Sequence, residues 1–209
     1  MPRIRGASIE EHHELVWADL AEAVRQLLLE RDYDGLTMGH IAARAGLARN
    51  TLYNYAPDKG ALVLALTQRA ARPAIERVAA VAAGSAGPAA GRLREIIQAV
   101  LEAFTDPALQ MMFRPGSGQP VDDVPREPDS PFHAIVVAVE SVIQDGIKRG
   151  EFRDVGDVRL TVELLTGAMR AGAERISRDP GTLVATVGAA QETILASLRP
   201  GNTEQMPPG

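Results

Sequence analysis

Along almost the whole chain the apolar residues recur at steps of three and four, and short alternating runs of β-branched residues, the mark of a half-buried strand, are scarce. Ala, Leu and Arg are the commonest residues, and each is comfortable in a helix. The chain is therefore expected to be all-α, with about nine helices. The first is bounded by Ser8 as N-cap, with Glu11 three positions on in a capping-box pattern, and carries Val16, Leu20, Val24, Leu27 and Leu28 on one face up to Arg31. A short helix from Thr37 or Met38 to residue 45 is closed by Gly46, and a third spans 49–55. A fourth begins near Lys59 and reaches about residue 83, with a bend expected at Pro73. After a break at 84–88 come a fifth helix carrying Leu93, Ile96, Ile97, Val100, Leu101 and Phe104, and a short sixth at 107–113. Residues 114–129, with four prolines and two glycines, read as a long loop that is either disordered or a lid. Ser130-Pro131 then opens a seventh helix as N-cap and first-turn proline, and two last helices cover 155–178 and 180–198.

Composition removes several kinds of chemistry. The 209 residues include no cysteine, so no disulfide, zinc-thiolate site or thiol nucleophile can be assembled, and a cytoplasmic location is expected. The N-terminal residues lack the apolar run of a secretion signal, and the most apolar later stretch, 134–143, is interrupted by Glu140 and falls short of the roughly 20 residues a membrane span needs. Charge is unevenly distributed: residues 1–72 hold 9 Lys/Arg and 9 Asp/Glu out of totals of 22 and 27, which leaves 13 against 18, the whole net −5, in the remainder. An acidic total thus does not exclude a DNA-binding face.

The informative stretch is Ile41-Ala42-Ala43-Arg44-Ala45-Gly46-Leu47-Ala48-Arg49-Asn50-Thr51-Leu52-Tyr53-Asn54-Tyr55, two short helices joined by a tight turn. Ile41, Ala42, Leu47 and Leu52 are placed to pack the pair on the first helix, and Ala42 and Ala45 are small enough for close crossing. Arg49, Asn50, Tyr53 and Asn54 then share the opposite face. There arginine can fork onto guanine and asparagine onto adenine. Together with Tyr33, Thr37 and Lys59-Gly60-Ala61-Leu62, this ordered series over residues 15–65 resembles the DNA-binding domain of the TetR family of repressors. That resemblance implies a three-helix helix-turn-helix domain at 1–58 with an N-terminal arm at 1–8 and a larger helical ligand-binding and dimerisation domain at 59–200. A disordered tail is expected at 201–209. Three positions depart from the family pattern: Ala48 stands where a capping Ser is usual, Ala56 replaces Phe, and Gly60 replaces Glu.

The resemblance implies double-stranded operator DNA as partner. Thr37, Tyr53, Tyr55 and Lys59 would hold phosphates, with Thr51 in the same segment, and Arg49, Asn50 and Asn54 would face base edges. Arg3 and Arg5 are candidates for the minor groove, although a solvated tail is their plainer role. His12 and His13 suggest a metal to the eye, but adjacent helical residues diverge, so no metal site is assigned. In the second domain Phe104, Met112, Phe113, Phe132, His133, Val136, Glu140, Leu165 and Met169 are candidates for an apolar effector pocket. His133 and Glu140 would be its orienting polar pair, and core packing is the ordinary role of the rest.

No nucleophile-and-base pair, phosphate-cradling glycine loop or catalytic carboxylate pair occurs, so neither an enzyme nor a cofactor is expected. The sequence reads as a homodimeric repressor on a palindromic operator, released by a small apolar or amphipathic effector. It would dimerise through the last two helices, where Gly167, Ala168, Ala171, Gly172, Ala185, Gly188, Ala189 and Ala190 permit close packing. The alternatives are a helical enzyme or carrier with a vestigial helix-turn-helix, and a regulator that answers to a protein partner.

Overall fold

The computed structural model describes residues 8–84, 87–113 and 132–200, and among them the only regular elements are helical. They are α1 (Ile9–Glu30), α2 (Met38–Arg44), α3 (Arg49–Tyr53), α4 (Lys59–Ala83), α5 (Ala89–Ala103), α6 (Pro107–Gln110), α7 (His133–Lys148), α8 (Val158–Arg178) and α9 (Leu183–Leu198). No helix among the described residues is long and apolar enough to cross a membrane. The arm with Arg3 and Arg5, the 114–129 loop, Ser130, Pro131 and the 201–209 tail lie outside the described residues.

Two compact units emerge. The first joins α1, α2, α3, the start of α4 up to Ala71, and α6. On α1 the three- and four-residue spacing of Val16, Leu20, Val24 and Leu27 builds one apolar stripe, and Ile41 of α2, Leu52 of α3 and Leu62, Val63 and Leu66 of α4 close over it. Burying each large aliphatic side chain contributes roughly 1.5–3 kcal/mol before entropy is counted. Those three α4 residues explain why the unit ends after Ala71 and not after Asp58, where the sequence suggests a boundary. Ala108 and Met111 bring α6 and the 3-10 turn Met111–Phe113 into the same cluster, although sequence order assigns them to the second domain.

The second unit comprises, among the described residues, 72–84, 87–105 and 132–200, and its core is α5 packed against α7, α8 and α9. Leu93, Ile96 and Leu101 of α5 meet a core that also holds Val142 and Ile143 of α7, Ile176 of α8, and Ile194 and Leu198 of α9. Gly146 of α7 allows the closest approach: a Cβ there would stand 2.6 Å from a Phe152 ring carbon and 2.9 Å from the Ala89 methyl.

Several boundaries differ from the sequence reading. α3 stops at Tyr53 with Asn54 as C-cap, because residues 54–55 form a turn, and α7 begins at His133 with Phe132 as its N-cap. α8 starts only at Val158, capped by Asp157 after the positive-φ Gly156. A 3-10 turn, Pro180–Thr182, precedes α9, and Pro73 lies inside α4, where it removes one backbone donor. Gly172, expected among the partner-facing small residues, is buried within the chain, where a Cβ would come 3.2 Å from both Leu101 and Thr186 side-chain carbons.

One polar network ties the second unit together. Arg92 of α5 is buried, pairs with Asp145 of α7 and donates to the Gly84 carbonyl at 3.1 Å. Arg149 reaches Asp145 at 3.2 Å and Glu151 at 3.1 Å, and Glu151 accepts from the Ala89 amide at 2.6 Å. The Arg92 hydrogen bond, followed by that from Arg149, holds the Asp145 carboxyl below the usual carboxylate range. A depressed folded pKa means stability that is present above the unfolded value, about 3.9, and is lost as pH falls through the folded one. Denaturation of Asp145→Asn beside the parent chain should therefore show the variant less stable at neutral pH, with the gap closing below about pH 4. A gap independent of pH would mean that the carboxylate is not the stabilising form.

Candidate nucleic-acid interface

The turn between α2 and α3 is set by backbone hydrogen bonds. Gly46 adopts φ +67°, the Leu47 amide donates to the Ala42 carbonyl at 2.9 Å, and the Gly46 amide donates to Ala43 at 3.3 Å. This is the glycine-centred helix stop in which the last carbonyls are satisfied from beyond the helix. Leu52 is fully buried, and that rotation leaves Arg49, Asn50, Tyr53 and Asn54 exposed on the other side of α3. Helical periodicity alone separates these two faces.

Around this face the remaining predicted residues are held by internal contacts. Thr37 is exposed and caps α2, its hydroxyl accepting from the His40 amide at 3.2 Å. Lys59 is half-buried at the start of α4; its ammonium donates to the Tyr33 carbonyl at 2.7 Å and lies 4.1 Å from the Tyr33 ring centroid. Since an ammonium has three donors, others remain to address a phosphate. The Tyr33 hydroxyl is pushed up by burial first and then by Asp58 and Asp34. Thr51 is half-buried.

Tyr55 is also half-buried, its ring edge-on to Trp17 at 5.4 Å and tilted against His13 at 5.5 Å. Burial raises the pKa of the Tyr55 hydroxyl, keeping it neutral at physiological pH. Arg69 of α4 covers the Trp17 ring at 5.0 Å and pairs with Glu14. His13, weighed in the sequence only as a metal ligand, thus belongs to an aromatic cluster under the end of α3.

Arg44 and Glu30 escaped the sequence reading. Arg44 donates from one nitrogen to both Glu30 carboxylate oxygens at 2.8 Å and from another to Gln26 at 3.2 Å, holding α2 to the end of α1. Arg31 also meets His40, at 3.1 Å. The only signal available in the sequence was complementary charge, with no indication of which acidic residue each arginine would meet. Arg49, by contrast, pairs with no carboxylate among the described residues; its guanidinium donates to the Tyr53 hydroxyl at 3.3 Å.

The effector candidates are divided. Phe104 and Phe132 stack with ring centroids 6.4 Å apart and planes inclined by 19°. Phe104 is buried, while His133, Val136 and Glu140 on α7 and Leu165 and Met169 on α8 are half-buried. Met112 and Phe113 belong to the first compact unit, so the predicted set does not fall within one unit.

Residues 20–66 match the model of a family described as bacterial regulatory proteins, tetR family. No curated protein matches the chain. Solved structures share its fold. The fatty acid degradation regulator FadR from Bacillus halodurans is 16% identical with a TM-score of 0.69, covering 94% of this chain and 99% of that one. FadR from Bacillus subtilis, in complex with stearoyl-CoA, is 18% identical with a TM-score of 0.66 over 90% of this chain and all of its own. The MbdR regulator from Azoarcus sp. CIB is 20% identical with a TM-score of 0.68 over 88% and 98%.

Ala48 occupies the N-cap of α3 in extended conformation, φ −65° and ψ 142°, with no side-chain capping bond. A serine there has the backbone geometry to accept from the free amides of the first turn. Ala48→Ser should stabilise the domain by about 0.5–1 kcal/mol in denaturant titration; an unchanged or lower midpoint would mean that the first turn of α3 finds its partners elsewhere.

Proposed function

We propose that the chain, whose residues 20–66 match the model of the tetR family of bacterial regulatory proteins, is a transcriptional regulator, and more narrowly a homodimeric repressor of a palindromic operator. The observation that carries this reading is the exposed face of α3, where Arg49, Asn50 and Asn54 lie clear of the core that Leu52 closes. In this reading those three meet base edges in the major groove. Thr37, Tyr53, Tyr55 and Lys59 meet phosphates, and Thr51 supports them from the half-buried side. Lys59 does so at the N-terminus of the 25-residue α4, whose amides favour an anion; Asp58 already satisfies one of them, accepting from Ala61 at 2.8 Å.

Dimerisation through α8 and α9 is supported by an apolar face that the described residues leave exposed. Leu164 is 71% and Val184 84% exposed, and Leu160, Gly167, Ala168 and Ala171 of α8 and Ala185, Gly188 and Ala189 of α9 are exposed in the same register. Two copies packing these faces would form a four-helix bundle. In this reading a small apolar or amphipathic molecule would bind beside the stacked Phe104 and Phe132, with His133 and Glu140 on α7 as its orienting polar pair. A long acyl thioester, the ligand in the Bacillus subtilis FadR complex, is one candidate of that chemistry. Its binding would bias the dimer between two geometries through α4, which begins with Lys59 and runs on to Ala83.

The test starts with duplex selection by the purified chain and continues with titration of the selected site and a scrambled one at several salt concentrations. Lys59→Ala should weaken both duplexes alike and lower the salt slope by roughly one per DNA-binding domain. Arg49→Ala should cost about 1–3 kcal/mol per half-site on the selected duplex, with little effect on the scrambled one. Equal losses on both duplexes for Arg49→Ala, or sedimentation showing only monomer at micromolar concentration, would overturn the reading.

A further inference from the structure

Arg49 and Tyr53 are four residues apart on α3, and this spacing places them one above the other on the exposed face. The guanidinium does more than pass near the ring. One of its terminal nitrogens donates to the Tyr53 hydroxyl at 3.3 Å, and its central carbon lies 5.8 Å from the ring centroid. Tyr53 is 41% exposed, and Arg49 pairs with no carboxylate among the described residues, so this contact is what orients the arginine.

We propose that Tyr53 is a specificity-positioning residue: its ring and hydroxyl hold the Arg49 guanidinium in a defined pose, so that Tyr53 governs the base preference delivered by Arg49 without itself reading a base. The inference rests on Arg49 being a base reader. An arginine has several rotatable bonds and loses much side-chain entropy when fixed, whereas its planar fork recognises guanine only in one orientation. A pose partly set before DNA arrives lowers the ordering cost on the correct base and confers no comparable advantage on wrong ones, because they cannot use the fork. The neighbouring aromatic of the segment, Tyr55, is turned onto Trp17 and His13 and is not placed to do this.

Two roles for Tyr53 leave different traces. A hydroxyl that only touches phosphate is lost equally from every duplex. A hydroxyl that orients Arg49 is lost selectively, at the one base position Arg49 reads, and only while Arg49 is present. The experiment is base-preference profiling of the full chain by selection from randomised duplexes, for the parent, Tyr53→Phe, Tyr53→Leu, Arg49→Ala and the double variant Arg49→Ala/Tyr53→Leu, with thermal melts confirming equal folding. The expected result is that Arg49→Ala erases preference at one position per half-site. Tyr53→Phe, keeping the ring, relaxes that same position by roughly two- to fivefold, and Tyr53→Leu relaxes it further. The double variant should match Arg49→Ala in preference. The proposal is overturned if Tyr53→Phe and Tyr53→Leu lower affinity for all duplexes while preferences stay intact, or if the double variant shifts preference beyond Arg49→Ala. Should Arg49→Ala itself leave every preference unchanged, the base-reading premise fails with it, and that outcome is recognised from the single variant alone.

Discussion

Everything on the candidate DNA face depends on the burial of Ile41 and Leu52 against the α1 stripe of Leu20, Val24 and Leu27. These side chains are excluded from solvent almost completely, so α2 and α3 cannot rotate about their own axes without exposing one of them. A helix as short as α3 has little stability of its own, and its orientation is therefore borrowed from this packing and from the turn at Gly46. The Arg44 clamp on Glu30 and Gln26 adds direction more than energy, since exposed ion pairs contribute little. The consequence is chemical: one face of α3 is committed to the core, and the polar side chains of the other are held ready for a partner.

The second unit solves a different problem with different means. Its helices meet through aliphatic packing, but its polar centre is the buried Arg92, whose charge is offset by Asp145 and whose second nitrogen is used by the Gly84 carbonyl. Removing Asp145 would leave the buried Arg92 guanidinium without its carboxylate, which makes the network costly to break from that side even if forming it gains little. It ties the start of α5 to the end of α7, while α8 and α9 leave an apolar stripe with Leu160, Leu164 and Val184 exposed.

Much of this was legible in the sequence because its signals are local. The helical period, the Ser8 cap, Gly46, and the absent cap at Ala48 each depend on residues within a few positions of one another, and each is found in the structure; that Thr37 caps α2 is a finding of the structure alone. The opposed faces of α3 follow from periodicity alone. What sequence reading lacked was the identity of distant partners: Lys59 with Tyr33, Arg69 with Trp17 and Glu14, and Arg44 with Glu30 are separated by stretches of chain over which no periodic signal carries. The same holds for Gly172. A stripe of small residues reads alike whether it faces a partner or Leu101 and Thr186 of its own chain. Helix starts such as His133 and Val158 shifted for a related reason, because several polar residues upstream offered competing caps.

The central claim is that the exposed side chains of α3, and not merely its charge, select a DNA sequence. It is tested most directly by randomised-duplex selection with the parent chain and with Asn50→Ala/Asn54→Ala, a pair of neutral, exposed substitutions that leave the charge and the buried Leu52 untouched. The account predicts that the parent enriches a two-fold symmetric site and that the variant, equally stable, keeps its salt-dependent affinity for any duplex but loses preference at defined positions in each half-site. Enrichment of the same site by both proteins, to the same degree, would contradict it.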